Sequence, residues 1–236
     1  MPENTTITWC GHATWQITTP GGVRVIVDPW LVGNPSCPPA LAEAEADLVL
    51  VTHGHDDHVG DAVAVAQRSN ATTIAQYELA AWLEAEGAPA TIGMNVGGTV
   101  ATHGLKITMT QAFHSSSVTT GTGAAAYAGD PAGYVLELEH GERIYLAGDT
   151  GVFGDMALIG QLYRPVLAIL PIGDLYTMGP FQAAHAVRLL GVKNVLASHW
   201  GTFGALTGTP AALRAELATL GLADVTVHDL APGASL

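Results

Sequence analysis

Residues 49–61 read Val-Leu-Val-Thr-His-Gly-His-Asp-Asp-His-Val-Gly-Asp. The apolar run over 47–51 is short and β-branched, which predicts a buried strand. It stops at Thr52, and His53, His55, Asp57 and His58 follow at once. Imidazole nitrogens and carboxylate oxygens are the donors that divalent transition metals take. Strand alternation puts His53 and His55 on one side, where they can grip one ion together. Asp57 and His58 turn away, as the start of a helix would, and can face a second ion. Gly54 has no side chain to block a close approach, and Gly60 eases the bend. The competing reading is a chance cluster in a solvated loop. It is the weaker one, because polar groups packed unpaired against an apolar strand are costly.

The pattern His-x-His-x-Asp-His resembles that of the metallo-β-lactamase superfamily. The resemblance implies an α/β fold, the αββα four-layer sandwich, with one or two metal ions at the rim between two sheets. Members hydrolyse esters, thioesters, lactones, lactams, phosphodiesters and RNA. Asp56 stands where glycine or alanine is common in that family and carries no assigned role.

Length and composition bound the reading. The 236 residues fit one hydrolase-like domain over 1–236. Hydrophobic residues make up 48% and charged residues 12%, enough for a sizeable core. No apolar run is long enough to span a bilayer. The start, Met-Pro-Glu-Asn-Thr-Thr, lacks the basic-then-apolar layout of a secretory signal. The expectation is a cytoplasmic protein with no membrane partner. The formal charge is −13, with only 8 Lys and Arg. Such a surface repels a polyphosphate backbone, so no nucleic-acid partner is expected, although bound metal ions would make the site itself locally positive. Cys10 and Cys37 are expected to be free and buried rather than bridged. The high apolar content hints at a homo-oligomer.

Outward from the histidine cluster, strands are predicted over 6–9, 15–18 and 23–27, with Pro20-Gly21-Gly22 as a turn. His12, alone in the first turn, reads as structural or as a support for another ligand. Yet Trp-Cys-Gly-His-Ala-Thr (9–14) resembles the Gly-His-(Ser/Ala) turn of one superfamily branch, which holds ascorbate-phosphate lactonase-like and uncharacterised metal-dependent hydrolase proteins. Asp28, before Pro29-Trp30, is either a turn-initiating residue or an acceptor that orients a metal-site imidazole. Its likeness to an Asp-Pro-aromatic motif favours the second. Residues 33–39 read as a surface loop that overhangs the site. Further helices are predicted over 59–68, 77–86, 153–162, 179–190 and 210–220. Further strands are predicted over 71–75, 105–110, 133–139, 143–146, 166–170, 195–197 and 225–227. The Gly, Ala and Thr-rich stretch 119–129 reads as a mobile loop.

The resemblance also implies a ligand set. His114 follows the strand over 105–110, where the superfamily takes its third histidine. The serines after it, Ser115, Ser116 and Ser117, either bind substrate oxygens or are ordinary loop residues. Asp149, in Gly-Asp-Thr, matches the bridging carboxylate, whose two oxygens can hold two ions. Its alternative is to cap the helix over 153–162. Pro-Ile-Gly-Asp-Leu-Tyr-Thr-Met-Gly (171–179) is similar to a signature of the uncharacterised hydrolase branch. There Asp174 reads as a substrate-facing or ligand-supporting group and Met178 as packing. His199 matches the last ligand, but the chain reads His-Trp-Gly-Thr-Phe-Gly where relatives commonly read His-Tyr-Asn-Thr-Phe-Pro.

The implied centre has His53, His55 and His114 on one metal, Asp57, His58 and His199 on the other, and Asp149 between them. Two divalent ions follow, Zn²⁺ foremost, with Mn²⁺ or Fe²⁺ also suited to N and O donors. The implied reaction is attack of a metal-bound hydroxide on a small ester, lactone or phosphoester, with Asp57 as the catalytic residue that orients it or passes on its proton. Two alternatives stay open. One is a phosphodiesterase acting on a lipid or nucleotide, which would want a basic or apolar rim. The other is a non-catalytic metal-binding protein, which needs no open coordination position.

Overall fold

A computed structural model describes residues 2–236. The chain opens with β1 (Thr6–Gly11), β2 (Thr14–Thr18), β3 (Arg24–Val27), β4 (Leu48–Leu50), β5 (Thr72–Gln76) and β6 (Ala90–Met94). These form one sheet in chain order, antiparallel from β1 to β3 and parallel from β3 to β6. Then come β7 (Thr99–Thr102), β8 (Leu105–Gln111), and a small antiparallel ribbon of β9 (Ser117–Thr119) and β10 (Ala125–Tyr127). The chain continues through β11 (Ala132–Glu137), β12 (Arg143–Leu146), β13 (Leu167–Pro171), β14 (Asn194–Ser198) and β15 (Thr226–His228). The second sheet has the order β15-β14-β13-β12-β11-β8-β7.

Each sheet carries helices on its outer face. One set is α1 (Asp56–Val59), α2 (Ala62–Ser69) and α3 (Tyr77–Ala85), the other α4 (Met156–Tyr163), α5 (Pro180–Leu190) and α6 (Pro210–Thr219). Three apolar clusters bind the four layers. Ile7, Trp15 and Leu50 meet Ile107, Tyr134 and Ile169 between the sheets. Val49, Val65 and Leu79 pack α2 and α3 onto the first sheet. Leu170, Val187 and Leu213 pack α5 and α6 onto the second. This is the predicted αββα sandwich. Strands β4 and β13 are buried at every residue, as parallel strands covered on both faces must be.

Local chemistry explains where the elements depart from expectation. The predicted helix over 59–68 is two helices, because Asp61 turns outward between them. Its carboxylate accepts the backbone N–H groups of Leu31 and Val32 at 2.6 and 2.9 Å, and its own N–H donates to the Pro29 carbonyl at 2.8 Å. Strands β6 and β7 escaped prediction because both are sheet edges with mostly half-exposed or exposed side chains. The predicted loop over 119–129 contributes the end of β9 and all of β10. Its Thr119 Oγ1 donates to Asp56 Oδ2 at 3.0 Å, which gives Asp56 a partner the sequence did not suggest.

Residues 33–39 form the expected surface loop, with all but Asn34 partly or fully exposed. Asn34 folds the loop back by donating to the Trp30 carbonyl (2.9 Å) and accepting from Ser36 N–H (2.9 Å). Gly11 lets it pack close, since a Cβ there would lie 2.8 Å from the Ser36 backbone. The C-terminal residues cover the free edge of β1, with Ile7 N–H donating to Leu236 O at 3.0 Å and the reverse bond at 2.9 Å. Among the described residues, no helix is long and apolar enough to cross a membrane.

Candidate metal centre

The site lies where β1, β3, β4, β12 and β14 end. Three of those ends hold non-glycine residues in the left-handed region: His12 (φ 53°), Asp28 (φ 46°) and His199 (φ 53°). Such backbone costs roughly 1–3 kcal/mol per residue and persists where the surroundings fix it. The fixing contacts are visible. The His12 carbonyl accepts from Trp9 Nε1 at 2.9 Å and from the His199 N–H at 3.0 Å, which ties the first sheet to the second. Gly148, just before Asp149, takes φ 62°, and a Cβ there would lie 2.7 Å from the Ala132 carbonyl.

Asp28 organises the start of the histidine cluster. Its Oδ1 accepts from Thr52 N–H at 2.7 Å, and its Oδ2 accepts from Thr52 Oγ1 at 2.7 Å and from His58 Nδ1 at 2.8 Å. The tautomers then follow in sequence. The single hydroxyl hydrogen of Thr52 goes to Asp28, so His53 Nδ1, 3.0 Å from Thr52 Oγ1, must donate. That leaves His53 Nε2 as a lone pair, 3.0 Å from His55 Nδ1. His58 Nδ1 also donates, and its Nε2 faces Asp149 Oδ2, 3.3 Å away, across a gap that a proton or a cation must fill. A buried carboxylate facing imidazole nitrogens this closely needs positive charge between them, a proton or a metal cation.

The remaining donors converge on the same place. Asp149 Oδ2 lies 3.0 Å from His199 Nε2 and 3.7 Å from His114 Nε2. Asp57 Oδ2 lies 2.9 Å from His12 Nε2, 3.7 Å from His199 Nε2 and 3.9 Å from His58 Nε2. Three sets of donor atoms each fall within 4.8 Å of one another: His12, Asp57, His58 and His199; His53, His55 and His114; His53, His58 and Asp149. The fully buried His58 Nε2 has no hydrogen-bond partner. The orphaned His58 Nε2 and the converging imidazole and carboxylate donors fit divalent cations.

The electrostatics show the buried carboxylates drawing positive charge into the cluster: burial would lower His58, but Asp149 and Asp28 lift it well above the usual histidine range, so a cation bound there takes the place of a proton. Burial alone would raise Asp57, but hydrogen bonds from His12 and His199 hold it well below the usual carboxylate range. Burial also opposes ionisation of Asp149, and the charges of His58 and His199 outweigh it. Burial is the first cause that pushes His53, His55 and His114 down. It takes His12 down to about 4, so this ring is neutral at neutral pH. Burial would lower His199 too, but Asp149 lifts it to about 9.

All seven sequence-predicted donors, His53, His55, Asp57, His58, His114, Asp149 and His199, meet in this one cluster. Asp149 is not a helix cap, since Asp155 occupies that position of α4. Thr150 fixes the neighbouring loop by accepting from Phe113 N–H at 2.9 Å, which places His114. Asp28 orients an imidazole, as its motif suggested. Asp174 does not face the site: its carboxylate accepts from Leu175 N–H at 2.8 Å within its own turn. Ser116 is a bridge, accepting from Gly54 N–H and donating to the Ala128 carbonyl, both at 3.2 Å. Met178 is fully buried packing. His12 belongs inside the cluster, and the Gly-His-Ala turn was the signal for it.

A cavity of about 310 Å³ opens onto the cluster, lined by His55, Asp57, His114, Asp149 and His199 together with Ser115, Tyr176 and Phe203. Sequence reasoning missed Tyr176 and Phe203 as cavity walls, because each lies in an irregular loop. Six of the 8 Lys and Arg are spent in ion pairs: Arg24 with Asp47, Arg68 with Glu43, Lys106 and Arg143 with Glu137, Lys193 with Asp224, and Arg214 with Asp229. Arg164 ends α4, and Arg188 sits on α5 beside His185. None of the eight lines the cavity.

The sandwich and its strand-end cluster define a protein of the metallo-β-lactamase fold. Residues 23–200 match the family model described as a β-lactamase superfamily domain. A UPF0173 metal-dependent hydrolase of Rubrobacter xylanophilus is 48% identical over 237 residues, covering 100% of this chain and 98% of its own. One from Herpetosiphon aurantiacus is 50% identical over 234 residues, covering 98% and 96%. Among solved structures, Igni18, a metallo hydrolase from the archaeon Ignicoccus hospitalis, superposes with a TM-score of 0.86 at 33% identity, covering 98% of this chain and 97% of its own. The chain therefore belongs to the UPF0173 metal-dependent hydrolases of the β-lactamase superfamily.

Proposed function

We propose that the chain hydrolyses a small ester, lactone or phosphoester with two divalent cations, Zn²⁺ foremost. His53, His55 and His114 would hold one, and Asp57, His58 and His199 the other, with Asp149 between them. One observation carries the reading: a single buried carboxylate oxygen, Asp149 Oδ2, lies within 3.7 Å of Nε2 atoms from His58, His114 and His199, which come from three separate elements.

Cations held there supply Lewis acidity and bring the pKa of a bound water down to ~7. The chain's own residues do the rest. The Asp57 side chain is 29% exposed and lines the cavity, so it can touch both the donor cluster and a substrate. Held anionic by His12, it orients the attacking water, accepts its proton and delivers it to the leaving group. Asp28 fixes the ring of His58, and Thr52 fixes that of His53, so neither ligand has to reorganise. The open cavity favours catalysis over a closed, purely structural centre, which would have no use for it.

The test is elemental analysis of protein purified without chelator, beside His55→Ala and Asp149→Ala. The expected result is about two metal equivalents in the parent, as in two-metal sites generally, and loss in both variants. Folded protein that takes up no metal on reconstitution refutes the ligand set and the hydrolase reading together.

A further inference from the structure

We infer that the cavity takes an uncharged substrate carrying an aryl or similarly flat apolar group, held between Tyr176 and Phe203. The inference rests on the hydrolase reading above and narrows its substrate class.

Two aromatic rings line a cavity of about 310 Å³, yet Tyr176 is 58% exposed and Phe203 41% exposed. The ring of Phe203 is packed, and the backbone that carries Tyr176 is held. Phe203 stands against Trp30 (ring centroids 6.0 Å apart) and His12 (5.4 Å). Tyr176 follows two consecutive non-glycine residues in the left-handed region, Asp174 (φ 70°) and Leu175 (φ 56°). Leucine does not adopt that backbone cheaply. The turn is nevertheless held, by the Asp174 carboxylate on Leu175 N–H at 2.8 Å and by Tyr176 N–H on the Asp174 carbonyl at 2.6 Å. A held turn thus presents one exposed aromatic ring as a wall of the cavity beside the reacting groups. Flat apolar groups stack on such walls favourably.

The charge lining the cavity points the same way. Recognition of phosphate or carboxylate relies on Arg or Lys, and none lines this space. Asp57 and Asp149 belong to the donor cluster and would be engaged by its cations, so the walls beyond the cluster, Ser115, Tyr176 and Phe203, carry no charge to hold an anionic appendage. Ser115 Oγ, 3.4 Å from His55 Nε2, is an uncharged hydroxyl suited to a neutral ester or lactone oxygen. The volume leaves room for on the order of ten water-sized groups, which fits a single ring with a short acyl chain.

Three probes share one phenyl ring and differ in charge: phenyl butyrate, methyl phenyl phosphate and phenyl phosphate, tested on the metal-loaded protein. The expected kcat/KM for phenyl butyrate exceeds that for either phosphate by ~100-fold or more. Phe203→Ala and Tyr176→Ala should each raise the KM for phenyl butyrate roughly tenfold more than the KM for ethyl butyrate, which has no ring, so the ratio between the two substrates reads the ring contact. Phe203→Tyr and Tyr176→Phe keep a ring and should keep the low KM, which separates ring contact from misfolding. Calorimetric titration of the metal-free protein gives a second readout without turnover: phenyl butyrate should bind, more weakly to Phe203→Ala, and phenyl phosphate should not. Tyr176→Arg supplies the missing cation and should move affinity toward phenyl phosphate. Preference for either phosphate, or ring-deleted variants with an unchanged KM ratio between the two butyrates, overturns the inference and leaves the hydrolase reading standing. No turnover of any ester or phosphate by protein shown to hold its metals overturns both.

Discussion

His12 Nε2 lies 2.9 Å from Asp57 Oδ2, and this contact joins the end of β1 to the helix that follows β4. A carboxylate only accepts, so Nε2 carries the hydrogen, and the neutral ring takes its second bond at Nδ1 from Thr202 Oγ1, 2.9 Å away. His12 thus sets the direction in which Asp57 presents its other lone pairs. His12→Ala is expected to weaken binding of the metal on the Asp57 side ~10–100-fold, the usual effect of losing a group that orients a ligand. The fold should survive, because the bonds between the sheets use the His12 backbone carbonyl. Chelator-competition titration with a thermal melt checks both halves, and unaltered metal affinity would contradict the assignment.

Asp28 serves three donors at once, so its replacement has two separable effects. Asp28→Ala leaves Thr52 N–H, Thr52 Oγ1 and His58 Nδ1 without an acceptor in a buried place. The expected loss is on the order of 3–5 kcal/mol, read by urea unfolding of the metal-free protein. Asp28→Asn keeps the shape but sets an amide donor against His58 Nδ1–H. It should cost less stability while still lowering metal affinity, because His58 must rotate or change tautomer. If the two variants lose stability and affinity in equal proportion, the orienting role is wrong.

What could be read from the chain follows from how each feature is encoded. The layered sandwich and the seven candidate donors were legible because His-x-His-x-Asp-His resembles a known family, and that resemblance, not spacing, picked out His114, Asp149 and His199 among the residues that follow apolar strands. His12 was read as isolated, since its partners Asp57 and Thr202 are 45 and 190 residues away. Tyr176 and Phe203 were illegible because irregular turns have no periodicity to show where a ring points. Edge strands β6 and β7 failed for a related reason, having no buried face to impose alternation. The departure at Gly201 turns out to be conformationally mild. It takes φ 71°, a backbone that asparagine, common at this place in relatives, also tolerates.

Metal removal should destabilise the protein. The ions would bind the folded cluster and not the dispersed ligands of the unfolded chain, so occupancy adds ~2.7 kcal/mol at a hundredfold excess over Kd. For a chain of this length that corresponds to a drop in Tm on the order of 5–10 °C on chelation. Adding back Zn²⁺ or Mn²⁺ should restore it. Asp149→Ala should melt at the same temperature with and without chelator. A chelator-insensitive parent protein would argue against occupied sites.

The two thiols offer a test of the core away from the site. Burial, with Cys37 a smaller contributor, pushes the Cys10 thiol up from 9.0 to about 12. Burial raises Cys37 too, but that residue is only partly covered. Alkylation needs the thiolate, so iodoacetamide at pH 8 should label Cys37 slowly and Cys10 only once the chain unfolds, as read by peptide mass spectrometry. The sign of the linkage is fixed by the direction of the shift. A thiol pKa raised in the folded state means the folded protein holds that proton more tightly than the unfolded chain. Its contribution to stability is complete below pH 9.0 and is lost as the pH rises toward about 12. Cys10→Ala removes this linkage, so its stability should fall less steeply than the parent's across that window. Equal alkaline slopes for the two proteins, or labelling of Cys10 as fast as Cys37 in the folded state, would show that the strand β1 opens locally and that its thiol is not sealed in the core.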